Sequence, residues 1–312
     1  MKDSPLKNVA ASVRHRLLER SKQRGEDFQF VLSRYASERL LYRLSVSQYR
    51  EGFVLKGALL FLLWGGELHR PTRDLDLLGF GDSSVAGLEN VFRDLCATVV
   101  EDDGLVFVAE SVAGGQIRED QEYGGVRVKL VAMLERAKIP VQVDIGFGDA
   151  ITPAARWHNY PTLLGTPSPR LRTYPRETVV AEKLEAMVSL GMGNSRMKDF
   201  YDVAVLAQRF DFDGARLAKA IGATFRRRKT PLPMTPPLAF SDEFARDAAK
   251  RTQWTAFVRR LALSDAPDEL AEVVAIVRSF LEPVIGALTT EKSFERHWSP
   301  SSKWNRKPAR ST

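Results

Sequence analysis

Apolar positions in the first fifty residues recur at helical spacing: Leu6, Val9, Val13 and Leu17, then Phe28, Val31 and Tyr35. That period predicts two helices, over residues 5–24 and 27–48. The pattern changes near residue 52. Phe53-Val54-Leu55 is a short apolar run closed by Gly57, and an apolar helical stretch continues to Trp64. Arg73 to Phe80 alternates polar and apolar as a half-buried strand does, with Gly79 and Gly81 ending it. A helix is expected over 84–99 and an extended stretch over 105–112. Val126, Val128 and Leu130 then face one side of a strand, and Val141, Val143 and Ile145 one side of another. Glu135-Arg136-Ala137-Lys138 between them predicts a hairpin.

Prolines at 153, 161, 167, 169 and 175 mark a boundary. Beyond it the period is helical over about 175–191, 197–210, 214–228, 240–263 and 266–288. Pro231, Pro233, Pro236 and Pro237 place a stiff break inside this half. The fold class is therefore α+β: N-terminal helices over 1–50, a mixed-sheet domain over 51–165, a helical domain over 170–288 and a basic flexible tail over 289–312.

Composition narrows the function classes. Hydrophobic residues at 44% and charged residues at 27% are globular usage. A lone Cys96 excludes a disulfide framework and a multi-cysteine zinc site, and the four histidines, His15, His69, His158 and His297, argue against a His-rich metal centre. The longest strongly apolar run, Ala58 to Trp64, is far short of the roughly 20 residues a membrane span needs. The N-terminus carries no apolar signal core, so a soluble, cytoplasmic protein is expected. The net charge of +7 is unevenly placed: residues 1–50 hold 11 Lys/Arg against 5 Asp/Glu, and residues 289–312 hold 6 against 2. Basic flanks around a slightly acidic centre suit a polyanion steered towards a metal-holding site, although basic flanks also serve solubility alone.

The sharpest chemical feature is Asp74-Leu75-Asp76. On a strand, residues two apart project from the same face, so both carboxylates point together while Leu75 and Leu77 turn into a core. Two carboxylates held that close repel unless a cation lies between them, and hard divalent ions with oxygen ligands, Mg²⁺ above all or Mn²⁺, suit them. Lys56-Gly57-Ala58 sits at a strand-to-helix turn, where small residues let backbone N–H groups approach a phosphate. Asp144 alternates with Val143 and Ile145 on a later strand; brought beside Asp74 and Asp76 by sheet pairing, it would complete a two-metal phosphoryl-transfer site. Arg73 is placed for phosphate or for neutralising the carboxylates. Arg226-Arg227-Arg228-Lys229 ends a helix and divides between dipole stabilisation and contact with an RNA backbone. Trp298 and Trp304, among basic residues, are candidates for stacking on bases.

The order of strand, Gly-small turn, helix, Asp-x-Asp strand and later Asp resembles the DNA polymerase β-like nucleotidyltransferase superfamily, with Ala58 where that superfamily usually has Gly or Ser. Four runs resemble one family within it: Val54-Leu55-Lys56-Gly57-Ala58-Leu59, Arg70-Pro71-Thr72-Arg73-Asp74-Leu75-Asp76-Leu77, Glu182-Lys183-Leu184-Glu185-Ala186-Met187 and Arg196-Met197-Lys198-Asp199-Phe200-Tyr201-Asp202. They look like the AbiEii/AbiGii toxins, the nucleotidyltransferases of type IV toxin–antitoxin and phage-defence systems. The resemblance covers roughly residues 50–210. It implies an NTP as co-substrate, an RNA acceptor such as a tRNA 3′ end, a cognate antitoxin protein, and Lys183 as a cation for the triphosphate. Asp199 and Asp202, one turn apart, either anchor Lys183 or position the acceptor, or are simply acids at a helix N-terminus. Transfer to a protein or small-molecule acceptor, and a non-catalytic RNA- or partner-binding module, remain alternatives.

Overall fold

In a computed structural model, the described residues are 8–117 and 124–306. They divide between two compact units, one of residues 8–117, 124–148 and 156–173 and the other of residues 149–155 and 174–306.

The first unit is built on a seven-stranded mixed sheet. Its strands are β1 (Phe53–Lys56), β2 (Asp74–Gly79), β3 (Leu105–Ile117), β4 (Gly125–Leu134), β5 (Ala137–Phe147), β6 (Arg156–Asn159) and β7 (Arg170–Thr173), in the order β3-β4-β5-β2-β1-β7-β6. β2 is antiparallel to β1 and parallel to β5, whose partner in the expected hairpin is β4. The alternation read over Arg73–Phe80 has its physical basis here: Leu75 and Leu77 are buried while Asp74 and Asp76 are half-exposed.

Four helices accompany the sheet: α1 (Val9–Arg24), α2 (Phe28–Val46), α3 (Leu60–Gly65) and α4 (Val85–Ala97). Asn8 and Asp27 cap the first two by accepting the backbone N–H of Ala11 and Phe30, and Gly25 ends α1 in the left-handed conformation at φ 63°. α2 packs through Val31, Tyr35, Leu40 and Leu44, and it carries an ionic core as well. Arg43 forms a fork with Asp103 at 2.7 and 3.2 Å, and the Tyr35 hydroxyl donates to the Asp103 carbonyl at 2.9 Å. Glu38 accepts the backbone N–H of Leu163 at 2.7 Å and the Thr166 hydroxyl at 3.2 Å, tying the stretch before β7 to α2.

Two differences from the sequence reading concern short strands. The proline-punctuated stretch holds β6 and β7, which extend the sheet at its edge; β7 is parallel to β1, with Leu55 opposite Thr173. The segment expected as a flexible tail contains β9 (Arg296–Ser299) and β10 (Lys303–Arg306), an antiparallel hairpin on β8 (Phe212–Asp213). Its tryptophans are the reason. Trp298 is 3% exposed and its indole N–H donates to the Ala207 carbonyl at 2.7 Å. Trp304 stacks on Phe280 with centroids 5.8 Å apart and 7° between planes, and donates to the Phe280 carbonyl at 2.8 Å. Buried indoles leave no base-stacking surface at Trp298. Residues 307–312, the rest of the expected tail, lie outside the described residues.

The second unit also holds α5 (Arg176–Leu190), α6 (Met197–Arg209), α7 (Gly214–Arg227), α8 (Asp242–Arg246), α9 (Ala248–Leu261) and α10 (Leu270–Thr289). The single helix expected over 240–263 is broken because Asp247 turns extended (ψ 131°) and caps α9, accepting the Lys250 N–H. Among the described residues, no helix is long and apolar enough to cross a membrane.

Candidate active site

In the first unit, register does what the spacing of Asp74, Asp76 and Asp144 anticipated. Asp76 lies opposite Asp144 across the parallel β2–β5 pair, and Asp74 lies opposite Gln142. Partners in register share a sheet face, so the three carboxylates are on one face. Lys56 is the antiparallel partner of Asp76 and lies on that face as well.

Gly57 is required by contact. It has φ +76°, and a Cβ built on it would stand 2.0 Å from Oδ2 of Asp76. The turn after β1 thus presses bare backbone against the carboxylate, and both the left-handed conformation and the closeness exclude a side chain. Ala58 is buried behind it. The helix that follows, α3, has only six residues, so any phosphate-binding capacity lies in the turn's backbone and not in a helix macrodipole. Arg73 is exposed at the entrance to β2.

A residue that sequence reasoning missed completes the cluster. Arg127 on β4 is the antiparallel partner of Asp144 and grips it with Nε to Oδ1 at 2.8 Å and Nη2 to Oδ2 at 2.7 Å. The bonds to Asp144, and then the nearby charges of Asp144, Asp74 and Asp76, raise the Arg127 guanidinium further. Gln142 donates to Asp74 Oδ1 at 2.8 Å. The alternation of Arg127 with Val126 and Val128 was the available signal, since it puts a cation on the carboxylate face.

Asp74 and Asp76 therefore offer hard oxygen donors side by side against a glycine turn, which fits a divalent cation. Asp144 is committed to Arg127, and among the described residues no group of three or more His, Cys, Asp or Glu side chains is gathered closely enough to hold an ion. The pair fits a metal as it stands; the third acid joins only by exchanging its guanidinium.

The second unit contains the other motif residues. Lys183 on α5 places Nζ 2.6 Å from Asp199 Oδ1 and 2.8 Å from Asp202 Oδ2, both on α6. Both acids are 1% exposed and the lysine 15%. Burial pushes the Asp199 carboxyl up, but Lys183 and Arg196, the latter 2.7 Å away, outweigh it and hold it below the usual carboxylate value. Of the three readings of these acids, the geometry displays contact of both with Lys183. In the basic run that ends α7, Arg228 is engaged inward, with Glu185 at 2.7 Å and Asp149 at 3.0 Å, while Arg226 and Arg227 are exposed.

Over residues 39–276 the chain matches the family model described as the nucleotidyl transferase AbiEii toxin of a type IV toxin–antitoxin system. It belongs to the AbiEii family. As an AbiEii protein it is a nucleotidyltransferase, for which the family implies an NTP substrate, usually a divalent metal, and an antitoxin partner. Two crystal structures match this chain at low identity. One is a candidate nucleotidyltransferase from H. pylori, 15% identical, covering 85% of this chain and 99% of that one with a TM-score of 0.47. The other is JHP933 from Helicobacter pylori, 16% identical, covering 85% and 95% with a TM-score of 0.49. No curated protein sequence matches this AbiEii chain.

Proposed function

We propose that this AbiEii protein transfers a nucleotide from an NTP to an RNA acceptor, a tRNA 3′ end, as a Mg²⁺-dependent toxin of a type IV toxin–antitoxin and phage-defence system. The observation that carries the reading is the placement of Asp74, Asp76 and Asp144 on one sheet face, with Asp76 packed against the Gly57 turn.

Asp74 and Asp76 would hold the divalent ion, which when bound supplies neutralisation of charge on the transferring phosphoryl group. The chain's own residues do the rest. The left-handed turn at Gly57 leaves the backbone after β1 open to the triphosphate, with Lys56 beside it as a cation and Ala58 and Arg73 flanking the turn. Lys183, anchored by Asp199 and Asp202, is a second cation for the triphosphate. Asp144 lies next to the acceptor hydroxyl; it takes up that proton when Arg127 releases it, and the hydroxyl oxygen attacks the α-phosphate as pyrophosphate leaves. Arg127 holds Asp144 in place and offsets the three negative charges until substrate binds. Two hard carboxylate donors suit Mg²⁺ and accept Mn²⁺ as well.

The test is transfer of label from each α-labelled NTP to total bacterial RNA in the presence of Mg²⁺. Label in a tRNA-sized band supports the reading. Label appearing only in polypeptide or in a small molecule would replace the acceptor while leaving the chemistry intact.

A further inference from the structure

The edge of the sheet in the first unit carries arginines and aromatics that the reaction does not use. Residues 150–176 contain four arginines and no Asp or Glu. Three of these arginines fall on β6 and β7, where the chain turns back on itself at the sheet margin. Register sets their faces. Thr173 is opposite Leu55, on the face away from Asp76, so Arg170 and Arg172 project from the carboxylate face. Trp157, opposite Arg172 across β6–β7, projects from the same face.

The side chains interleave. The guanidinium of Arg50 lies 5.7 Å from the Trp157 ring centre and that of Arg170 lies 6.0 Å from it. Arg172 lies 5.3 Å over the ring of Phe80, a phenylalanine 51% exposed, and donates to the Glu51 carbonyl while its Nε has no hydrogen-bond partner. At this strip's margin Glu51, itself exposed, lies 3.6 Å from Arg50. Protection of a sheet edge needs charge alone, and lysine serves that purpose. An exposed phenylalanine and a half-exposed tryptophan, each topped by a guanidinium, instead offer ring faces for stacking and cations for phosphate.

We infer that the Arg50–Trp157–Arg170–Arg172–Phe80 strip is a docking surface for single-stranded RNA, holding the acceptor upstream of its reacting end. β7 and β6 are two and three strand spacings from β2, so the strip begins about 10–15 Å from Asp76 on the same face. That separation suits nucleotides preceding the terminal hydroxyl. The strip's charge is opposite to that of the carboxylate centre, so it attracts the acceptor backbone where the centre repels it. This inference rests on the RNA-acceptor reading and adds the surface that recognises the acceptor.

The experiment is fluorescence anisotropy without NTP, using the full chain and a labelled single-stranded RNA of about 12 nucleotides. Trp157→Ala should weaken binding roughly 5- to 100-fold, and Trp157→Phe should retain most of it. Arg170→Ala with Arg50→Ala should lower the slope of log K against log salt by about 1.4. In the transfer assay the same variants should raise KM for RNA and leave KM for NTP unchanged. Melting curves identify a misfolded variant, and the arginine pair, being exposed, tests the strip if Trp157→Ala does not fold. If wild type binds RNA and every folded variant binds it equally, the docking surface is refuted while the RNA-acceptor reading stands. Loss of antitoxin binding with RNA binding intact would likewise refute it and make the strip a protein contact. If wild type neither binds nor labels RNA, the acceptor reading fails and takes the inference with it.

Discussion

Gly57 and Asp76 are in such close approach that a single methyl group cannot be inserted between them: a Cβ on Gly57 would stand 2.0 Å from Asp76 Oδ2 and 2.6 Å from its carboxyl carbon. Because Gly57 also has φ +76°, Gly57→Ala meets both backbone strain and a clash. The expected outcome is a loss of transfer of about 100-fold or more, since an ångström of displacement is enough for that. Thermal melts and single-turnover rates, measured together, check it. Wild-type turnover in Gly57→Ala would mean that Asp76 need not stay where it is.

The Lys183–Asp199–Asp202 triad is buried, so its energetics are those of an interior ion cluster. Lys183→Met removes the ammonium 2.6 and 2.8 Å from two carboxylates that are each 1% exposed. Stability should fall by about 3–5 kcal/mol, recovered in part by adding Asp202→Asn. Urea unfolding of the single and double variants measures this. A single variant as stable as wild type would deny the triad its structural part.

Glu38 predicts a pH dependence. Burial, opposed in smaller measure by the Leu163 N–H and Arg39, pushes its carboxyl from an ordinary 4.5 to about 7. A folded value above the unfolded one means that protonation favours the folded state. Its contribution is complete below about pH 4.5 and is lost as pH rises through 7. Relative to Glu38→Gln, wild type should lose on the order of 3 kcal/mol between pH 4.5 and 8. Denaturation curves of the two proteins that run parallel across that range would contradict it.

Removal of residues 290–312 is expected to be a folding lesion. It takes away Trp298 and Trp304, which cover Phe280 at 4.8 and 5.8 Å. Loss of one large buried aromatic alone costs about 3–5 kcal/mol. The truncated chain should melt well below wild type whichever acceptor is used, so retained or lost activity in it says nothing about the acceptor. A truncated chain with the wild-type melting temperature would refute this packing.

Much of this was legible in the sequence where periodicity was sustained. The alternation around Asp74 and Asp76, the Val-rich hairpin of β4 and β5 and the α5–α7 helices follow directly from apolar spacing. The four-residue strands β6, β7, β9 and β10 escaped because they are too short to show a period and, unlike β1, carry no continuous apolar run. Arg156–Asn159 and Arg170–Thr173 lie among prolines, and their strand character comes from pairing with each other and from the pairing of β7 with β1. Arg296–Ser299 and Lys303–Arg306 read as a tail through their charge, while one tryptophan in each formed the core contact. Arg127 escaped for a different reason: its alternation with Val126 and Val128 assigns it a face, but its role exists only in register with Asp144.

In the proposed reaction Asp74 and Asp76 serve chemistry and not the fold. Asp76→Asn keeps the side chain's size against Gly57 and removes its charge. Incubated with Mg²⁺, total bacterial RNA and each α-labelled NTP, it should lose transfer by at least about 100-fold with a wild-type melting temperature, while wild type labels a tRNA-sized band. Asp76→Asn that transfers like wild type, or that fails to fold, would contradict the account.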